Sequence, residues 1–275
     1  MRTQNPALDE RIFKREAEAA GAAATAAGGA GTWNPPVTDG PASPWRGYKA
    51  MTVGGVATAT AVLFVLLLAT AVVGWGAVTP ATNVRAGNTP GWVWIALIAG
   101  IGLAFATIFR PQWARVTAPL YALVEGLVLG AISRLFEVAY PGIVLQAVAL
   151  TLAVFAIMLA LFTTGAIKVT NKLRTGIMVA TGAVAVVYLL GFVVRLFGSE
   201  IGFINEPSLF GILFSLVVVG IASFNLLLDF DFVERGVAAG APKQTEWYAA
   251  FGLVVTIVWL YLELLRLLSK LQGRN

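Results

Sequence analysis

The chain has 275 residues, 58% of them hydrophobic and 12% charged, with a net charge of +5 and neither cysteine nor histidine. Soluble domains carry about twice that charged fraction, and several apolar stretches reach about twenty residues, which points to a polytopic helical membrane protein rather than a barrel of short alternating strands. The missing residue types exclude disulfides, thiol catalysis, c-type haem, histidine-ligated zinc and nucleophiles activated by histidine.

No enzyme is therefore expected. Carboxylates, arginine, lysine and hydroxyls remain, and carboxylates favour protons and hard cations over zinc or copper. The basic residues are spread over short loops rather than gathered on one face, so nucleic acid is not an expected partner.

Residues 1 to about 50 read as a separate segment. The stretch "AEAAGAAATAAGGAGTWNPPVTDGPASP" is rich in Ala, Gly and Pro. It has little to bury and is expected to be a disordered tail, with at most a short helix near Asp9 to Ala24. It is not a secretory signal peptide, because the first apolar run begins only after Lys49.

Seven spans follow, at about 52–78, 92–109, 117–136, 142–163, 176–197, 209–231 and 247–270. They predict an all-α, seven-helix transmembrane domain over residues 51–272. Pro80, Pro90, Pro111, Pro141 and Pro207 fall in connections, and Pro119 opens the third span. With odd-numbered connections on one side, 13 of the 19 basic residues lie with the N-terminus, and Arg85, Arg134, Arg195, Arg266, Lys270 and Arg274 lie opposite. That bias predicts a cytoplasmic N-terminus and an external C-terminus. The basic end "LLSKLQGRN" fits poorly outside and leaves room for a seventh span that does not fully cross.

Small residues at four-residue spacing, Ala96, Gly100 and Ala104 in the second span and Gly126 and Gly130 in the third, allow close helix packing. Packing within one bundle is expected ahead of dimerisation.

Four acids need a reason, since carboxylates are costly in hydrocarbon. Glu125 lies about nine residues into the third span and either faces a pathway or is a carboxyl bonded to a neighbouring helix. Asp229 and Asp231 end the sixth span in "SFNLLLDFDFVERG". Two residues apart on a helix, they point about 200° away from one another. Asp231 reads as an interfacial charge near Glu234 and Arg235. Asp229 lies a turn from Asn225 on the same face and is the better candidate for function. Glu263 sits deep in "VWLYLELLRLL", with Arg266 three positions on and able to neutralise it; Lys270 extends that row towards the interface. Arg134 is expected to snorkel. The Gly-x-Gly-Asp setting of an intramembrane aspartyl protease is missing, since Leu226, Leu227 and Leu228 precede Asp229.

Seven spans, the "LLLDFDFVERG" end of the sixth, the "WLYLELL" of the seventh and "PLYALVEGLVLGAISRLFE" at 119–137 together resemble the Bax inhibitor 1 family, in a bacterial, actinobacterial-looking form. The resemblance covers about residues 50–272. It implies a pH-gated leak for calcium across the bacterial plasma membrane, needing no cofactor, in which carboxylates on the last two helices share a proton. Those positions fall on Asp229 and Glu263, the latter where the family has Asp, and Arg110 is the match to an arginine that clasps the sixth-helix acid. On this reading Asp229 and Glu263 are also a calcium site, with Glu125, Asp231 and Asn225 along the pathway. At 1.5 Å per residue, however, straight antiparallel helices would leave the two acids about 10 Å apart in depth. The connection "RGVAAGAPKQTE" or a kink near Gly252 would have to absorb that difference. The resemblance equally permits a non-conducting regulator that binds a membrane protease or channel. A proton-coupled transporter lacks support, since no inverted repeat is evident.

Overall fold

In a computed structural model, the structure describes residues 50–78, 90–198 and 207–274. The expected tail (residues 1–49) and Pro80 and Arg85 lie outside the described residues. Seven long helices follow in order: α1 Val53–Gly76, α2 Gly91–Phe109, α3 Ala114–Ala139, α4 Ile143–Thr163, α5 Asn171–Leu196, α6 Leu209–Ala238 and α7 Thr245–Gln272. Each is long and apolar enough to cross a membrane. Among the described residues there is no strand, only an isolated bridge between Ala50 and Pro242.

α3, α5, α6 and α7 are longer than the apolar runs that announce them. α6 continues through Phe232–Ala238, seven residues past the end read from hydrophobicity. The apolar run marks the slab of hydrocarbon, and a helix needs no apolar residue to continue into water. Pro119 lies within the second turn of α3 instead of opening it; a 3-10 turn at Pro111–Trp113 leads into that helix. α7, at 28 residues, is long enough for a full crossing.

Polar groups are placed at the helix ends. Thr52 caps α1 by accepting from the Gly55 amide at 2.9 Å, and Ser208 caps α6 by accepting from Gly211 at 3.1 Å. The Glu137 carboxylate accepts from the amides of Gly142 and Val144, the first turn of α4. After α6 the chain turns at Gly240, with φ +64°, a conformation that suits glycine at this place. The residues before α1 then meet this turn, where the Met51 amide donates to the Ala241 carbonyl at 2.8 Å.

α7 is the most buried of the seven and packs against α1, α3, α4 and α6. α1 and α3 form the most extensive interface. Gly126 and Gly130 lie directly against the α1 carbonyls of Leu67 and Ala71, and Gly74 of α1 lies against that of Leu127, so a Cβ at any of the three would overlap backbone. The small-residue stripe of α3 therefore serves packing inside one bundle. Outward-facing side chains such as Val72, Ile95 and Leu145 are more than 70% exposed, as lipid-facing residues are.

Candidate functional site

α6 and α7 run antiparallel from the Gly240 turn, and the seam between them holds the one buried side-chain oxygen among the described residues that lacks a hydrogen-bond partner: Oδ2 of Asp229. The other oxygen, Oδ1, faces Gly252 of α7, 3.6 Å from where a Cβ there would stand. Thr256, one turn further along α7, is the neighbouring hydroxyl. Leu226, Leu227 and Phe230 surround this carboxyl on α6 as part of an apolar core that also takes in Leu253 and Ile257 of α7.

Asp231 turns the other way, as the 200° separation predicts. Its Oδ2 accepts from Arg174 of α5 at 2.5 Å and from Arg235 one turn on. The Arg235 contact follows from i,i+4 spacing; Arg174 is 57 residues away and no local pattern announces it. Asn225 is directed at α5 as well, donating to the Thr181 hydroxyl at 2.7 Å. Its face is shared with Asp229 less closely than a one-turn separation suggests.

Glu263 is 2% exposed and fully engaged. Arg266 donates to both carboxylate oxygens at 2.9 and 3.1 Å, Tyr188 of α5 donates to Oε2 at 2.9 Å and Trp259 donates to Oε1 at 3.2 Å. Arg266 also donates to the Tyr188 hydroxyl and lies over that ring, 4.8 Å from its centroid. The neutralising partner expected from i,i+3 spacing is present, with two aromatic donors that sequence reasoning did not find.

The carboxylate pair expected of Asp229 and Glu263 does not form. None of the hydrogen bonds of Glu263 goes to Asp229, and Glu263 lies two helical turns, about 10 Å, beyond Thr256. α6 and α7 remain continuous helices, so nothing takes up the depth difference. A calcium site built from this pair is accordingly not assembled, and no group of three or more metal-ligating His, Cys, Asp or Glu side chains occurs among the described residues. Arg110 does not clasp Asp229 either: it is exposed at the end of α2, with its guanidinium 5.9 Å from the Trp113 ring centroid.

Glu125 projects at the α2–α3 seam, its Oε2 3.3 Å from where a Cβ on Gly100 would stand. No hydrogen bond to it forms among the described residues, so the alternative of a carboxyl bonded to a neighbouring helix is not seen. Lys270 is buried rather than interfacial, donating to the Gly211 carbonyl at 3.0 Å and the Ser215 hydroxyl at 2.8 Å on α6. Arg134 lies over the ring of Trp75, 5.2 Å from its centroid.

One acid was overlooked in sequence. Glu246, in the first turn of α7, is 4% exposed and accepts from the amide and the hydroxyl of Thr52 at 3.0 and 3.1 Å. Gly55 packs flat against the same carboxylate, where any Cβ would overlap it. The negative group thus sits at the N-terminus of α1, where a helix favours an anion.

The seam holds one carboxyl with an unpartnered buried oxygen, Asp229, and a separate ion-paired cluster around Glu263 ties α7 to α5. A family model described as Bax inhibitor 1 like matches residues 5–273 of the chain. No curated protein and no solved structure gives a significant match.

Proposed function

The chain belongs to the Bax inhibitor 1 like family, and from that membership we propose that it is a pH-sensitive leak pathway for calcium in the plasma membrane of a bacterial cell, with its N-terminus cytoplasmic. The observation that carries this reading is the unpartnered Oδ2 of Asp229 in the α6–α7 seam. An ionised carboxylate in an apolar seam costs several kcal/mol when the Thr256 hydroxyl is its one polar neighbour there. Protonated, Asp229 is compatible with the closed packing. Loss of the proton favours an arrangement that lets water and a cation reach it, since carboxylate oxygens suit calcium. In this chain the switch is a single acid. Glu263 holds the bundle together through Arg266 and Tyr188, and calcium is the permeating ion rather than one held between two acids.

The test is calcium efflux from liposomes containing the purified protein and no partner. Flux that rises with pH supports the leak. A tight, silent bundle at every pH favours a regulator that binds another membrane protein. Glu125, unpartnered on another seam, is a second carboxyl along the pathway on this reading, and Glu125→Gln is expected to alter flux less than Asp229→Asn.

A further inference from the structure

A groove of about 590 Å³ opens on the flank of the bundle. Its outer walls are α1 and α4, with Leu68 and Val72 on one side and Val148 and Leu152 on the other, all exposed. Its floor is α3 and α7, where Ser133 and Val258 are buried. The volume falls in the range of small-molecule sites.

Only three lining residues, Ser133, Thr151 and Tyr261, carry hydroxyls, and all three are already satisfied. Ser133 and Tyr261 bond to one another at 2.6 Å, and Thr151 donates to the Ala147 carbonyl at 2.7 Å. Apart from the Trp75 indole N–H at its end, the groove therefore offers a continuous apolar surface suited to an alkyl chain.

Its length and its end identify the chain. Phe64 and Trp75 mark the two ends of the α1 wall, and eleven residues of helix span about 16 Å. Half of a typical hydrocarbon core is about 15 Å. Trp75 stands one residue from the end of α1, at the depth where tryptophan meets headgroups. Arg134 lies over that indole and, among the described residues, makes no ion pair. A cation therefore stands where the phosphate of a lipid would be if its tail lay in the groove.

We propose that this groove is a binding site for one anionic phospholipid of the leaflet in which α1 ends, with an acyl chain between α1 and α4 and its phosphate on Arg134. The site binds without catalysis, and no α6 residue lines it.

The experiment is native mass spectrometry of the full-length protein released from detergent, titrated with phosphatidylglycerol and, separately, phosphatidylcholine. The wild type is expected to retain one phosphatidylglycerol in preference to phosphatidylcholine. Arg134→Gln should weaken phosphatidylglycerol about fivefold, the equivalent of about 1 kcal/mol per basic residue facing an anionic headgroup, and bring the two lipids level. Val148→Trp fills the groove from an exposed wall position and should remove the retained lipid while leaving the melting temperature unchanged. If Val148→Trp keeps its phosphatidylglycerol, or Arg134→Gln keeps the preference, the proposal is overturned. Loss of a dimer in Val148→Trp, with lipid retention unchanged, would equally overturn it and assign the groove to a second copy of the chain.

Discussion

Asp229 of α6 faces Gly252 of α7 so closely that a Cβ on Gly252 would come to ordinary contact, 3.6 Å, with Oδ1. No other large group intervenes, so the carboxyl abuts helix backbone. Alanine fits there without displacing anything. Gly252→Ala should therefore keep or raise stability, by up to about 1 kcal/mol from helix propensity alone. The added methyl also makes the seam tighter and more apolar beside the carboxyl. Calcium flux at permissive pH is expected to fall although the fold is intact, which a melting curve and a liposome assay on the same preparation would read together.

The Glu263 cluster makes the opposite kind of prediction. Arg266→Gln leaves a carboxylate with 2% exposure without its cation. Breaking a buried pair from one side costs roughly 3–5 kcal/mol. Arg266→Gln should melt well below the wild type. Adding Glu263→Gln to it should restore much of the loss, a coupling that a double-mutant cycle measures. Independent, additive losses would contradict the ion pair.

At the other end of α7, Glu246 ties the start of α1 to the last helix. Glu246→Gln retains an oxygen for Thr52 but removes the negative charge from a helix N-terminus, and should cost about 1 kcal/mol. Gly55→Ala should cost more, because its Cβ would occupy the carboxylate's place. Thermal unfolding in detergent gives both values, and an unaffected Gly55→Ala would show that the two helices are not in contact there.

Orientation is tested separately. Reporter fusions after residue 274 should read as extracytoplasmic, and fusions in the α6–α7 connection at Pro242 as cytoplasmic, following the basic bias of the connections on that side. A cytoplasmic signal at the C-terminus would contradict seven crossings.

Much of this arrangement was legible in the residues. Apolar runs of about twenty announce every helix, and the pairs within one turn, Glu263 with Arg266 and Asp231 with Arg235, follow from helical spacing alone. What spacing cannot reveal is a partner on another helix. Arg174 reaches Asp231 across 57 residues and Tyr188 reaches Glu263 across 75. Glu246 escaped notice because a carboxylate in the first turn of a helix looks like an ordinary solvated charge. Its burial comes from the strand of chain entering α1. The depth arithmetic for Asp229 and Glu263 did carry the needed signal, and the pairing implied by family resemblance ran against it. Unbroken helices kept the offset.

The most direct measurement is calcium efflux from liposomes, across roughly pH 5 to 8, for the wild type, Asp229→Asn and Glu263→Gln. The wild type should leak more as pH rises. Asp229→Asn should be nearly independent of pH, because the titrating carboxyl of the seam is gone. Glu263→Gln should lose stability but keep the wild-type pH dependence in the protein that remains folded. An Asp229→Asn protein that follows the wild-type pH curve would contradict a switch at this carboxyl.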